Sequence, residues 1–159
     1  MESTGSIKAN VQFLSFKMDK IEFSATQTLE ALATQDLSDF ETGYSFAFRN
    51  ALRFVGQPQV LYVTGIQVGV IVKSKKSGQE LGKGSFIITG LFSSDGVMDK
   101  NLEEKIIKYQ CPAILLPYLR ATISTVLSNA GFGTTPMPLI NVNEAAKSAN
   151  VTIEERQLK

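Results

Sequence analysis

The chain has 159 residues, 43% of them hydrophobic and 19% charged, a composition that fits one globular domain long enough to bury a core. Its 16 basic and 15 acidic residues leave a net charge of +1, and no basic stripe follows a phosphate backbone, so nucleic acid is not an expected partner. Histidine is absent and cysteine occurs once, which removes imidazole base catalysis, Ser-His and Cys-His pairs, an internal disulfide framework and most zinc sites.

In chain order, residues 11–18 alternate, and Ile21-Glu22-Phe23 continues the extended pattern past a charged interruption at Asp19-Lys20 that reads as a bulge. Residues 26–42 are weakly patterned and acidic, a connection with one helical turn expected near Leu29 to Ala33. Next, Tyr44, Phe46, Phe48, Leu52 and Phe54 share one parity while Ser45, Arg49 and Arg53 take the other, which predicts one strand with a single buried face. Gly56-Gln57-Pro58 turns the chain into residues 60–72, where Val60, Tyr62, Ile66, Val68, Val70 and Val72 again share a parity. A loop at 73–79, with Lys73, Lys75 and Lys76 at a solvated tip, leads to a strand over 84–91 carrying Phe86 and Ile88. Strands joined by such short turns run antiparallel. Gly65, Gly69, Gly82, Gly84 and Gly90 have two equal readings: bulges and twist, or close approach by a helix or another subunit.

After Gly96 the period changes. Residues 98–109 space Leu102, Ile106 and Tyr109 as a helix, with Asp99, Glu103 and Glu104 early and Lys105 and Lys108 late, as the macrodipole favours. Cys111-Pro112 starts a second helix, since proline at the first helical position has no N–H to lose, and Gly131 is a left-handed cap. Leu115, Leu119, Ile123, Val126 and Ala130 line one face, widened by Leu116, Tyr118 and Leu127. A Gly/Thr/Pro loop over 133–138 precedes a short helix at 143–149, capped by Asn141 or Asn143. Residues 1–150 read as a single domain and 151–159 as a flexible polar tail. Strands followed by helices define an α+β fold with the helices on one face of an antiparallel sheet.

No signal-peptide pattern is visible at the polar N-terminus, and no apolar run approaches a membrane span; even 60–72 is broken by Thr64, Gly65, Gln67 and Gly69. A cytoplasmic location without stable membrane insertion is expected. Cys111, at a helix start, has no base or resolving cysteine beside it and reads as structural, not as a reactive thiolate. Gly82-Lys83-Gly84-Ser85 lacks the spacing of a phosphate loop and leads into a strand. Asp95, Asp99, Glu103 and Glu104 lack a cation-loop pattern and read as a solvated helix start. No catalytic set, cofactor site or metal site emerges. The open question is the apolar surplus Phe132, Met137, Leu139, Ile140 and Val142 around the Pro/Gly loop. Either the loop folds back and buries them, at about 1.5–3 kcal/mol per side chain, or it roofs a groove for extended chains.

A family resemblance bears on that choice. Gly84-x-Phe86, Gly90, Cys111-Pro112-x-x-Leu115-Leu116-Pro117-Tyr118-x-Arg120, Gly131-Phe132 and Ile140-Asn141, with the early Ile21-Glu22-Phe23, resemble the SecB export-chaperone pattern over roughly residues 11–147. The resemblance implies a four-stranded antiparallel Greek-key sheet with two helices on one face, and a homotetramer built as a dimer of dimers. It also implies an ATP-independent holdase that is not an enzyme and keeps non-native polypeptide clients in apolar grooves, as for preproteins awaiting export. By the same analogy the client-contact candidates are Phe132, Met137, Leu139, Ile140 and Val142, with Tyr44, Phe46 and Phe48 on or near the opposite wall. Leu116, Gly133 and Val142 depart from the family's Phe, Pro and Phe and make the groove less aromatic while keeping it apolar. Lys20, Ser24, Ser77 and Gln79 stand where the export members carry their acidic docking face. That argues against docking to the SecA motor and suits a SecB-like chaperone dedicated to the antitoxin of a toxin–antitoxin pair. A structural or adaptor module that keeps the fold without general client binding is the alternative in another class.

Overall fold

The computed structural model describes residues 11–26, 33, 39–133, 137 and 141–158; the helical turn expected near Leu29 lies outside these, Ala33 excepted. Strand β1 is Val11–Ala25, β2 Phe40–Phe48, β3 Ala51–Val55, β4 Val60–Ser74, β5 Glu80–Ser94 and β6 Ile153–Gln157. The even positions of β4 and β5 form the buried face: Tyr62, Ile66, Val68 and Val70 lie across from Phe92, Ile88, Phe86 and Gly84. The sheet runs β1-β5-β4-β3-β6, with β2 also on β4, and every pairing is antiparallel except β3 with β6.

The expected count of four strands becomes six for two physical reasons. First, β2 and β3 lie end to end along the same edge of β4. Phe48 faces Ile66 and Leu52 faces Val63, so Arg49, Asn50 and Ala51 span the distance covered by Thr64 and Gly65. One extra residue is a bulge, and a one-residue slip exchanges the two faces. Tyr44, Phe46 and Phe48 therefore face the helix layer, but beyond the bulge Ala51, Arg53 and Val55 do, while Leu52 and Phe54 cross to the other face beside Val63 and Leu61. The reading of one uninterrupted strand is corrected accordingly. Second, the tail read as a plain polar extension contains β6, which pairs with β3 in register Ala51–Ile153 to Val55–Gln157. With β2 and β3 counted as one interrupted strand, the long strands keep the Greek-key order, the first lying beside the last. In β1, bulges at Leu14 and Asp19 shift the register on β5, the second where the charged interruption predicted it.

Helix α1 is Lys100–Phe132, one continuous element in place of the expected pair. A π-turn, Ile106–Gln110, runs directly into Cys111–Leu127, and the Cys111 N–H reaches back to the Ile106 carbonyl. That wider turn lets Pro112 follow without a break, since its missing N–H falls where the register changes. Gly131, at φ 92°, ends the regular helix in the left-handed conformation. By length and composition α1 is long and apolar enough to cross a bilayer, which counting apolar runs did not anticipate. Its stripe of Leu115, Leu119, Ile123 and Leu127 is fully buried against the sheet. Helix α2 is Val142–Lys147, and the Asn141 side chain accepts the Glu144 N–H at 3.2 Å.

The glycine question divides by position. A Cβ at Gly90 would stand 2.6 Å from a Leu115 methyl, and one at Gly82 would meet the rings of Phe23 and Phe132, so these two admit α1 and its aromatic end. At Gly65, Gly69 and Gly84 the close neighbours come from adjoining strands.

Candidate functional site

Among the described residues β2 pairs only with β4. Its main-chain orientation follows from two hydrogen bonds: the Arg49 N–H donates to the Gly65 carbonyl at 3.0 Å, and the Lys75 N–H to the Asp39 carbonyl at 2.7 Å. Main-chain direction alternates along an antiparallel strand. Odd residues of β2 therefore serve β4, and Phe40, Thr42, Tyr44, Phe46 and Phe48 aim their N–H and C=O groups outward. The same even residues turn their side chains toward the helix layer. Phe40 is buried, and Tyr44, Phe46 and Phe48 are half-buried at the margin of the core. The Tyr44 hydroxyl is buried without a hydrogen-bond partner among the described residues, and burial pushes its pKa up. A row of outward donors and acceptors beside half-buried rings is the chemistry of strand addition to an extended apolar segment.

The candidates on the other wall have a different environment. Phe132 is 1% exposed and packs edge-on to Phe40 at 4.9 Å and Phe23 at 5.9 Å between ring centroids. Met137 is 3% exposed, and Val142 packs partly buried against the same core. Leu139 and Ile140 lie outside the described residues. The structure thus brings Phe132 and Met137 into the core, the fold-back outcome, and leaves Tyr44, Phe46 and Phe48 at its edge.

Sequence reasoning missed a polar cluster. Glu103, grouped above with a solvated helix start, is 4% exposed. Its carboxylate accepts from Arg53 Nη1 and from the Tyr62 hydroxyl, each at 2.5 Å. Arg53 also donates to Glu155 of β6 at 3.4 Å. Burial, with the Glu103 carboxylate beside it, holds the Tyr62 hydroxyl protonated far above its usual range. Only the bulge before β3 turns Arg53 toward α1, so simple alternation assigns it to the wrong face. Cys111 is buried, and that burial pushes its thiol up to about 12; it is a packed thiol at neutral pH.

The face away from the helix carries both signs of charge. Asp19, in the β1 bulge, accepts from the Thr89 hydroxyl and pairs with Lys17 at 3.0 Å and Arg49 at 3.4 Å. These contacts, led by the Thr89 hydrogen bond, hold its carboxyl below the usual range. Lys20 pairs with Glu22 at 3.4 Å, and with Ser24 they share this outer face.

Comparison with known proteins bears on both fold and site. No curated protein matches the chain. Among solved structures, a Mycobacterium tuberculosis SecB-like chaperone in complex with a ChAD peptide from the HigA1 antitoxin aligns with a TM-score of 0.65 at 10% identity. The alignment covers 82% of this chain and 91% of that one, a likeness of fold. The family model for SecB, preprotein translocase subunit SecB, matches residues 57–147. That stretch contains β4, β5, all of α1 and all of α2, more than half of the chain, and the protein belongs to the SecB family of non-enzymatic chaperones.

Proposed function

We propose that the protein is an ATP-independent holdase that binds extended, non-native polypeptides along the outer edge of β2. The observation that carries this reading is the coincidence on Thr42, Tyr44, Phe46 and Phe48 of outward main-chain groups and side chains turned to the core margin. A client strand would pair with those groups and lay alternate apolar side chains over Tyr44, Phe46, Phe48 and Val142. Phe132 and Met137 would support this wall from within, and Leu139 and Ile140 would complete it. Affinity then rests on area and main-chain bonds, which tolerate many sequences.

A dedicated antitoxin client is the narrower reading. The similar fold of a chaperone solved with an antitoxin peptide favours it, as does the outer sheet face, where Lys17, Lys20 and Arg49 pair with the carboxylates of Asp19 and Glu22 and make the surface mixed in charge. We further propose a cytoplasmic homotetramer, a dimer of dimers. The exposed apolar surface of Ile114 and of Tyr118, whose ring packs on Phe16 of β1, supports it as a surface for a second copy.

The test is suppression of aggregation of a chemically denatured, slowly folding protein without nucleotide. Protection at one tetramer per client, lost on Phe46→Asp with the circular dichroism unchanged, is expected. No protection by the wild-type chain would leave the adaptor reading in its place. A SecA pull-down is expected to recover little, and mass in solution to give four copies.

A further inference from the structure

The open lane along β2 is occupied where it continues past β3. β3 continues β2 along the same edge of β4, and β6 lies on the outer side of β3. The Ala51 N–H donates to the Thr152 carbonyl at 2.9 Å and the Leu158 N–H to the Val55 carbonyl at 2.9 Å. Thr152 also donates its N–H to the Asn50 side chain at 3.1 Å, closing the open lane at the bulge. The chain's own C-terminus therefore does to β3 what an incoming strand would do to β2.

Its attachment is slight. Glu154, Glu155, Arg156 and Gln157 are exposed, and only Val151 and Ile153 reach the core. The pairing is parallel, the weaker kind per residue. Besides the Asn50 bond to Thr152, one ion pair reinforces it, Arg53 to Glu155 at 3.4 Å, and Arg53 has a shorter bond to Glu103. Few buried contacts on an edge strand mark a segment that opens locally, well below the cost of global unfolding.

We propose that β6 is a tethered cover on the β3 edge that competes with extended polypeptide, so that its release lengthens the client lane from β2 through β3. This rests on the chaperone reading above. The expected partner is an extended apolar segment long enough to run past the bulge; shorter ones stay on β2 and ignore β6.

The experiment measures binding of a permanently unfolded probe, reduced and carboxymethylated α-lactalbumin, by fluorescence anisotropy. Three forms are compared with the wild type: a chain ending at Asn150, Glu155→Lys, and Ala51→Cys with Ile153→Cys, which face each other in the ladder, oxidised to a crosslink. Truncation is expected to tighten binding by about fivefold or more, the equivalent of a net main-chain hydrogen bond or two. Glu155→Lys should move the same way by less, and the crosslinked form should bind no better than the wild type. Hydrogen exchange of the wild type should show the β6 amides opening well before those of β4. Binding unchanged by truncation and by Glu155→Lys overturns the proposal and leaves the chaperone reading intact, as do β6 amides protected as strongly as β4. If truncation prevents folding, Glu155→Lys and the crosslink decide alone. Absence of binding by every form sinks the chaperone reading and this proposal with it.

Discussion

Glu103 is a carboxylate taken almost wholly out of water, tolerated because Arg53 and the Tyr62 hydroxyl satisfy both of its oxygens. Removing one partner of a buried pair leaves the other charged and uncompensated. Arg53→Met is therefore expected to destabilise the fold by about 3 kcal/mol in urea denaturation, and adding Glu103→Gln should return part of that loss. Equal loss in single and double variants would show that packing of the Arg53 stem, not its charge, is what counts. Cys111 gives a prediction in pH. Its folded value, about 12, lies above the ordinary 9.0, so the folded state retains a proton that the unfolded state gives up between those values. The stability from the protonated thiol is complete below the unfolded value and is lost as pH rises toward the folded one. Cys111→Ala should flatten the fall in stability between pH 9 and 11, at the cost of a lower plateau from the cavity it leaves.

At the scale of elements, alternation located β4 and β5 to within a few residues, because a face buried over fifteen positions leaves a period nothing else imitates. The same signal failed between β2 and β3. A bulge adds one residue without any composition of its own, and Leu52 and Phe54 are apolar enough to imitate continued burial. β6 was illegible for another reason: Ile153–Gln157 reads as a charged tail because an edge strand needs main-chain partners, not apolar side chains. Cys111-Pro112 marks where the regular α-helix resumes after a π-turn and not where a helix starts, so the two expected helices are one. Gly90 could be singled out as a close approach but not assigned to α1. Gly90→Ala is expected to cost about 1–3 kcal/mol through its clash with Leu115 and Phe92, and less in a Leu115→Ala background, where the methyl is gone. A penalty identical in both backgrounds would place the strain in the strand itself.

For the whole molecule, the absence of histidine and of any catalytic set directed attention to surfaces from the start, and the Cys-Pro helix carried the family signature that the match over residues 57–147 bears out. The proposed client edge was only half legible. Tyr44, Phe46 and Phe48 follow from strand parity, but whether an apolar loop is core or groove depends on what it packs against, and Phe132 meets Phe23 and Phe40, residues far from it in sequence. The central claim is that clients add as a strand to β2. It is tested most directly by residue-resolved amide exchange with and without a saturating unfolded polypeptide. The odd amides of β2 already serve β4, so added protection should alternate, rising at Thr42, Tyr44, Phe46 and Phe48 and leaving Gly43, Ser45 and Ala47 unchanged. Protection spread evenly along β2, or confined to other strands, would contradict it.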